Sequence, residues 1–589
     1  MKKIALVMGG GVSLGTYIAG ALTELLYALQ HNTSDEKVVI DVIAGASAGS
    51  MTAAMVAKAL LYDKSMVSKL REAWVERINW RSRNSWPGLQ RSFPDSDDPV
   101  LSLLNDSVVR MIAKRMLTAP TIAQNDQGIC GASLRRVDMA FTLANFHGVP
   151  YAVPYQNAPT APEKGFLSTI FSDWVEFSVG PEAGEQGQNN EKLEEVWAKV
   201  RQAALASGAF PFAFEPKEVE RRIQDFGSKW LQEKFKGKTM TRFHYSDGGT
   251  FNNEPLALAA KLARARDAEE PGGERLFLFI DPYLSKLSYV EDFTREELSL
   301  LAYGKRLVEM FISESSAKDF LRAHRYNTRL EWFEALLECF GTLLDHLGQR
   351  QMEEGEKVLA REVDEFLREK LEADTEDPPS QASVDEEREE NLQRIEQTYW
   401  KTLNANQWDP SKQALMKVLI LALELASGLR AKRQMKLYLL APSGQKGPLA
   451  GDFLMNFGGF FSERYRVADF RHGRVDCRNE ILNDYGEAFG LKGGLDPTFN
   501  YRYDKSLKDA TFADLNDEEK NSFREWFNDA FDWAAGRATR SMNSFLRFGV
   551  WLIKGFIRKW AFNEVTKPKA SPAQGTGGRE LNSDGGEEA

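Results

Sequence analysis

A serine flanked by glycines stands in the run Gly45-Ala46-Ser47-Ala48-Gly49-Ser50, directly after an apolar, β-branched segment at 38–43. The residues that follow, 51–61, have the composition of a helix. A strand, a tight turn of small residues and a helix form the setting in which a serine hydroxyl is held clear of the backbone and can act as a nucleophile. We therefore predict that Ser47 is a nucleophile. The alternative is a turn that only packs well, because the pattern G-x-S-x-G also arises by chance in long chains.

A second glycine-rich segment, Gly9-Gly10-Gly11, lies between a short apolar run at 4–8 and a set of leucines at helical spacing. Glycines allow main-chain N–H groups to turn towards a bound oxygen, as an oxyanion hole requires, and each such donor is worth about 3 kcal/mol in the transition state. A nucleotide-binding loop is the alternative. However, the spacing is G-x-G-x-x-x-G and no Gly-Lys-Ser/Thr follows, so the motif requirements of that alternative are not met.

An aspartate, Asp247, ends a short strand-like run at 243–246 and is followed by Gly248 and Gly249. A carboxylate at the end of a strand can project into a cleft, although an ordinary Asp-Gly turn is the alternative. A serine nucleophile needs a base within hydrogen-bond reach. The chain has only six histidines, and His244 is the only one beside a motif.

The three segments, in this order, resemble the patatin-like phospholipase family over residues 1–290, and so do the run 204–214 and the Asn-x-Pro at 253–255. The resemblance implies an acyl hydrolase with a Ser–Asp dyad and no catalytic histidine. Ser47 would attack the ester carbonyl, and Asp247 would take its proton and later activate the water that hydrolyses the acyl-enzyme. Backbone amides around Gly9, Gly10 and Gly11 would hold the oxyanion. The chain departs from the family at 12–14, Val-Ser-Leu, where a basic residue usually stands.

Residues 457–474 resemble the second-domain signature of a bacterial patatin-related subgroup with a helical C-terminal extension. A role in the site is one interpretation of its arginines and aspartates. The alternative is a network that holds the second domain on the first, since a likeness of fold does not fix function.

Two strand–turn–helix units within the first sixty residues predict a three-layer α/β/α domain with a mostly parallel sheet over 1–290. The pattern from 291 to 565 predicts a mainly helical C-terminal domain with an exposed, charged hairpin near 350–400. A strand at 435–440 would extend the sheet of the first domain. Residues 566–589 are rich in Pro, Gly, Ser and Glu, which predicts a disordered tail.

The composition excludes several kinds of partner. A net charge of −10, spread along 589 residues, argues against nucleic acid. Three distant cysteines, Cys130, Cys339 and Cys477, form no metal or redox spacing and suit a reducing, cytoplasmic location. We expect neither a metal nor another cofactor. No run of 18 uncharged apolar residues is present, so we expect no transmembrane helix.

Residues 540–562 combine a stripe of basic residues with many tryptophans and phenylalanines. That composition is typical of a helix lying in a lipid interface, with a helix docked on the core as the alternative. The predicted partner is therefore a lipid or membrane-surface substrate, with peripheral membrane contact through 540–562 left open and no protein partner identified. Two further functions stay open: a soluble esterase or thioesterase of short acyl chains, and a non-catalytic lipid-binding or scaffold protein.

Overall fold

The computed structural model of the protein describes residues 1–93, 100–153, 166–183, 189–283, 318–374, 380–400, 403–427, 435–442, 449–494, 496–499, 507, 510–539, 558–559, 561–563 and 565–566. The chain divides into two compact units. The first comprises Met1–Asp319 and Leu437–Ala589, and the second comprises Phe320–Lys436.

The first unit begins with two strand–helix pairs. Strand β1 (Lys2–Met8) leads through the glycine loop into α1 (Gly15–Gln30), and β2 (Val38–Gly45) leads through the Ser47 turn into α2 (Ala48–Leu61). Both strands are buried along almost their whole length, as expected of continuous apolar runs in the middle of a parallel sheet. The predicted order of strand, turn and helix is confirmed at both places.

The rest of the N-terminal part alternates helices and strands. In chain order they are α3 (Met66–Arg71), which continues as a π-helical turn at Glu72–Arg77, α4 (Ser107–Met116), β3 (Val137–Val153), β4 (Phe166–Val179), α5 (Asn190–Ser207), β5 (Lys217–Arg222), α6 (Lys229–Lys234), β6 (Met240–Asp247), α7 (Leu256–Glu269) and β7 (Glu274–Ile280). Strand β5 has almost no apolar signal in the sequence, because it is an edge strand and carries mostly charged side chains.

The strands form one eight-stranded sheet in the order β5-β6-β3-β2-β1-β7-β8, with β4 paired to β3 and with β8 spanning Lys436–Leu440. Pairs β1–β2, β1–β7 and β2–β3 are parallel, whereas β4 and β6 run antiparallel to β3. The sheet is therefore mixed and mostly parallel at its centre, which confirms the predicted fold class. The register pairs Met8 with Gly45, and Gly45 with Phe141, so the ends of β1 and β2 lie at one edge of the sheet.

Helix α1 forms part of the core of this unit. The segment Val12–Gln30 is long and apolar enough to cross a membrane by composition, but 83% of its apolar window is buried inside the fold. Its one acidic residue, Glu24, is fully buried and forms ion pairs with Arg474 and Arg478. These properties are those of the core helix of a globular unit.

The described helices of the second unit are α8 (Lys318–Leu344), α9 (Gln349–Asp374), α10 (Gln381–Tyr399) and α11 (Pro410–Ser427). Helices α9 and α10 occupy the region of the predicted charged hairpin, with apolar residues such as Val363, Leu367 and Ile395 buried between helices. Five of the apolar residues of α11 are buried (Leu415, Met416, Val418, Ile420 and Leu421), and its buried Glu424 is neutralised by Arg394.

The C-terminal part of the first unit adds β8, α12 (Gly458–Phe461), α13 (Glu463–Asp476), a π-helical segment Cys477–Asp484, α14 (Gly486–Phe489) and α15 (Asp517–Thr539). The compact units thus differ from the predicted division near residue 290, because 437–589 group with the N-terminal part. Helix α13 packs very closely on α1: a Cβ at Gly20 would lie 1.9 Å from the Phe470 carbonyl oxygen, and one at Gly473 would lie 2.0 Å from that of Tyr17.

Three predictions fall on stretches that the structure does not describe. The predicted domain boundary near 290 and the tail beyond 566 lie outside the described residues. Most of the predicted interfacial helix, 540–557, also lies outside them. Among its described residues, Arg558 pairs with Asp532 and the Phe562 ring packs at 5.9 Å from that of Phe523.

Candidate active site

Ser47 stands on a sharp turn between β2 and α2. Its backbone has φ 51° and ψ −121°, a strained conformation for a non-glycine residue that is typical of a nucleophile elbow. The turn leaves no room for a side chain at either of the two motif glycines. A Cβ at Gly45 would lie 2.7 Å from the Gly49 carbonyl carbon, and a Cβ at Gly49 would lie 2.5 Å from the Met8 carbonyl oxygen. The two motif glycines therefore let the helix, the turn and two strands meet around Ser47.

The structure brings Ser47 and Asp247 together across 200 residues of sequence. The Ser47 Oγ–H donates to Asp247 Oδ2 at 2.5 Å, and the other carboxylate oxygen accepts the Gly249 N–H at 2.8 Å. Asp247 ends β6, where it is paired with Leu143 of β3. Both members of the pair are buried, with exposed fractions of 6% for Ser47 and 3% for Asp247. Gly248 permits this approach, since a Cβ there would meet the Thr142 backbone at 2.1 Å.

Burial sets the proton affinity of this carboxylate. Removal of Asp247 from water raises its pKa to about 7, while the hydrogen bonds from Ser47 and the Gly249 amide act in the opposite direction. A carboxylate with a pKa near neutrality can both accept and return a proton at physiological pH. The arrangement can therefore serve as a nucleophile with its own base.

The glycine loop lies directly against Ser47. A Cβ on Gly10 would come within 3.0 Å of the Ser47 Cβ. The three amides of the loop differ in what they bind: the Gly9 N–H donates to the Ile280 carbonyl at 3.1 Å, and the Gly10 N–H donates to Asn253 Oδ1 at 3.0 Å. Among the described residues, the Gly11 N–H has no acceptor. Of the three predicted oxyanion donors, Gly9 is thus held in the sheet, and Gly10 and Gly11 remain as candidates.

Asn253 is a site residue to which the sequence assigned no role. Its side chain is 4% exposed. Its Oδ1 accepts the Gly10 N–H and also lies close to the Asp247 turn, where a Cβ on Gly249 would be 2.7 Å from the same oxygen. Within the described part of the chain, its Nδ2 has no acceptor. The Asn-x-Pro at 253–255 was the available signal, but nothing in the motif indicates which amide the asparagine binds.

Ser207, at the end of α5, holds the elbow from the other side. Its Oγ accepts the Ser47 N–H at 3.0 Å and lies 2.8 Å from Ser50 Oγ. The next amide, that of Ala48, begins α2 and has no acceptor among the described residues. The residue after the nucleophile commonly supplies an oxyanion donor, so Ala48 joins Gly10 and Gly11 as a candidate.

His244, the histidine beside the Asp247 motif, contacts another histidine. His244 Nδ1 lies 3.3 Å from His147 Nε2, and the two rings stack at the exposed face of β3 and β6. Within the described residues, no group of three His, Cys, Asp or Glu side chains is placed to hold a metal ion.

Comparison with known proteins relates part of the chain to a known family and to a bacterial protein. The family model described as Patatin-like phospholipase matches residues 6–260, a stretch that includes Ser47, Asp247 and Asn253. An uncharacterized protein, y4iI of Sinorhizobium fredii (strain NBRC 101917 / NGR234), is 24% identical over 378 residues, which are 52% of this chain and 52% of the relative. The chain thus spans about half the length of that curated relative.

Proposed function

We propose, from the premise that residues 6–260 form a domain of the patatin-like phospholipase family, that this protein is a serine acyl hydrolase that cleaves ester bonds of lipids. The observation that carries the proposal is the hydrogen bond from Ser47 Oγ to the buried carboxylate of Asp247. The family supports lipid hydrolysis in general. The dyad, the oxyanion donors and the lipid class are our proposal.

The first half of the reaction uses the pair as nucleophile and base. As Ser47 Oγ attacks the ester carbonyl carbon, its proton passes to Asp247 Oδ2, and the carbonyl oxygen becomes an oxyanion. When the tetrahedral intermediate collapses, the bond to the leaving alkoxide breaks and Asp247 returns the proton to that oxygen. The products of this half are an alcohol and an acyl ester on Ser47.

The second half repeats these steps with water. Asp247 accepts a proton from a water molecule, whose oxygen attacks the acyl carbon of the ester on Ser47. Collapse of the second intermediate releases a carboxylic acid and returns the proton to Ser47 Oγ. A base with a pKa near 7 suits both directions of proton transfer.

The developing oxyanion needs amide donors already in place. The N–H groups of Gly11 and Ala48, which have no acceptor among the described residues, are the first candidates. We further propose that the substrate oxygen replaces Asn253 Oδ1 at the Gly10 N–H. Donors that are fixed before the reaction stabilise charge without reorganising, so they act mainly on the transition state.

Exposed aromatic side chains close to the site support a lipid rather than a small soluble ester. Phe251 follows the Asp247 turn by a few residues and is 49% exposed, and its ring stacks on the exposed Phe171 of β4. Phe212, in the segment after Ser207, is 80% exposed. Exposed aromatic rings of this kind suit the boundary between water and acyl chains.

The test is a panel of phospholipids, lysophospholipids, triacylglycerols and short-chain nitrophenyl esters, with released fatty acids identified by mass spectrometry. Wild-type protein is compared with Ser47→Ala and with Ser68→Ala, a control at an exposed serine. We expect release of long-chain fatty acid by wild type and Ser68→Ala but not by Ser47→Ala. Equal release by Ser47→Ala would refute the proposal, and cleavage of short esters alone would replace it with a soluble esterase.

A further inference from the structure

Ser13, two residues after the glycine loop, is hydrogen-bonded to a distant part of the chain. Ser13 is fully buried, and its N–H donates to the Asn456 carbonyl at 3.1 Å. Its Oγ–H donates to the same carbonyl, and its Oγ accepts the Gly459 N–H at 3.1 Å. These three hydrogen bonds all run to the segment 454–461, which we call the clamp segment.

Both partners in this contact have strained backbones. Val12, between Gly11 and Ser13, has φ 50°, an outlier for a β-branched residue. In the clamp segment, three consecutive non-glycine residues are left-handed: Leu454, Met455 and Asn456, with φ of 52°, 56° and 67°. Such conformations persist only where surrounding contacts impose them, and they cluster at functional sites. The hydrogen bonds of Ser13 join the two strained stretches.

A buried arginine holds the clamp segment in place. Arg466 is 1% exposed; its Nη1 donates to the Gly459 carbonyl at 2.8 Å, and its Nε donates to the Val75 carbonyl at 2.9 Å. No carboxylate of the described residues lies within ion-pair distance of this guanidinium. Burial lowers the pKa of Arg466 to about 10, so the side chain stays protonated at neutral pH. The charge therefore binds backbone carbonyls, which fixes the path of residues 459–460.

Gly459 is the point at which these contacts meet. A Cβ on Gly459 would lie 2.8 Å from Ser13 Oγ and 3.6 Å from Arg466 Cγ. The glycine thus fits between the serine and the arginine with no space to spare. Direct contacts lead from Arg466 through Gly459 to Ser13, and Val12 alone separates Ser13 from Gly11, the candidate oxyanion donor.

We propose that Ser13 and Arg466 are positioning residues, which hold the oxyanion loop in its reactive conformation through the clamp segment. The proposal rests on the function proposed above. Neither residue is proposed to touch the substrate: Ser13 fixes the Val12–Ser13 peptide, which is the second peptide after Gly11, and Arg466 fixes the segment that binds Ser13. The C-terminal part of the chain is then a component of the active site and not only a packing partner.

The test compares Ser13→Ala with a matched control, Ser228→Ala. Ser228 is also buried, at 2% exposed; its Oγ donates to the Pro150 carbonyl and accepts the Leu231 N–H, so both variants lose one donated and one accepted bond. We expect Ser13→Ala to lower kcat about ten- to a hundredfold with KM unchanged, since loss of alignment weakens transition-state contacts. Ser228→Ala should keep the wild-type kcat, and both variants should have similar melting temperatures.

Hydrogen–deuterium exchange provides a readout that does not depend on catalysis. The peptide covering residues 9–15 should exchange about tenfold faster in Ser13→Ala than in wild type, since those amides lose their restraint, and should be unchanged in Ser228→Ala. Exchange at the wild-type rate in Ser13→Ala would overturn the proposal, whether or not Ser47 proves to be catalytic. A kcat in Ser13→Ala equal to that of Ser228→Ala would overturn it as well.

Substitution of Arg466 extends the test to the other end of the path. Arg466→Lys keeps the charge and loses the planar set of donors, so it should loosen residues 9–15 without unfolding the protein. We expect faster exchange in that peptide and a fall in kcat with KM unchanged. A folded Arg466→Lys protein with wild-type exchange and wild-type kcat would contradict the role of Arg466. The activity of Ser47→Ala, by contrast, tests the proposed function and not the positioning role of Ser13 and Arg466.

Discussion

The elbow at Ser47 and the glycine loop at 9–11 lie side by side, yet they depend on distant residues to different degrees. The elbow is shaped by its own neighbours in sequence, through the strand before it, the helix after it and the close contact of Gly45 with Gly49, and Ser207 adds a hydrogen bond from a distant helix. The glycine loop is fixed by distant residues: Asn253 accepts the Gly10 N–H, and the clamp segment binds Ser13, two residues beyond the loop. Substitution of the elbow glycines should therefore lower the free energy of unfolding, whereas substitutions around the glycine loop should lower kcat.

The largest effect is expected at Asp247, the proposed base. In Asp247→Asn the side chain still fits between Ser47 and the Gly249 amide, but it can no longer take the proton. We predict a fall in kcat of about a thousandfold, since a positioned base contributes up to that order. Steady-state kinetics with a chromogenic ester measure the change, and circular dichroism checks the fold. Substantial activity in a folded Asp247→Asn protein would mean that another group acts as the base.

The next largest effect is expected at Asn253, beside the glycine loop. In Asn253→Asp the oxygen that binds the Gly10 N–H is retained, but a negative charge is added next to the developing oxyanion and to Asp247. We predict a fall in kcat of about a hundredfold without loss of fold. The control is Asn391→Asp, at a buried asparagine of the second unit, which should leave kcat unchanged. Equal kcat values for the two variants would mean that Asn253 takes no part in the reaction.

A smaller effect, on stability, is expected at the elbow. A Cβ in Gly49→Ala would lie 2.5 Å from the Met8 carbonyl and 2.8 Å from that of Gly9. Because backbone atoms cannot move aside freely, we predict a loss of about 1–3 kcal/mol in the free energy of unfolding. Chemical denaturation measures it. Gly536→Ala is the control, since a Cβ there meets nothing within 4 Å. Equal free energies of unfolding for the two variants would show that the turn accommodates a methyl group at Gly49, contrary to this prediction.

The smallest effect is the response to pH. Because the pKa of Asp247 is raised to about 7, kcat/KM should fall about tenfold per pH unit below that value, as the base becomes protonated. The same raised pKa makes the folded state bind more protons than the unfolded state between about pH 4 and 7, so this group lowers stability as pH rises through that window. Asp247→Asn should therefore melt higher than wild type at pH 8. A flat pH profile between 5 and 8 would contradict a buried aspartate base.

The sequence predicts well whatever is encoded by neighbouring residues. Buried strands are visible as apolar runs, and the two strand–turn–helix units predict an α/β domain with a parallel sheet. Helix α11 is visible for the same reason, as an apolar segment of helical length. These features depend on periodicity and composition, which a single sequence contains.

What the sequence cannot give is the partner of each polar group. The Gly9 amide belongs to the sheet and the Gly10 amide to Asn253, although the three glycines look alike in the sequence. Strand β5 cannot be recognised from the sequence because most of its side chains are charged. The close packing of α13 on α1 brings together residues 450 positions apart, such as Gly20 and Phe470. Such contacts depend on the path of the whole chain, so no local pattern could have predicted them.

Covalent trapping of Ser47 by a fluorophosphonate, followed by intact mass and peptide analysis, tests the proposed nucleophile most directly. We predict one adduct per chain, located on Ser47, with no labelling of Ser47→Ala and much slower labelling of Asp247→Asn. An unlabelled wild-type protein, or a Ser47→Ala protein labelled as fully as wild type, would contradict it.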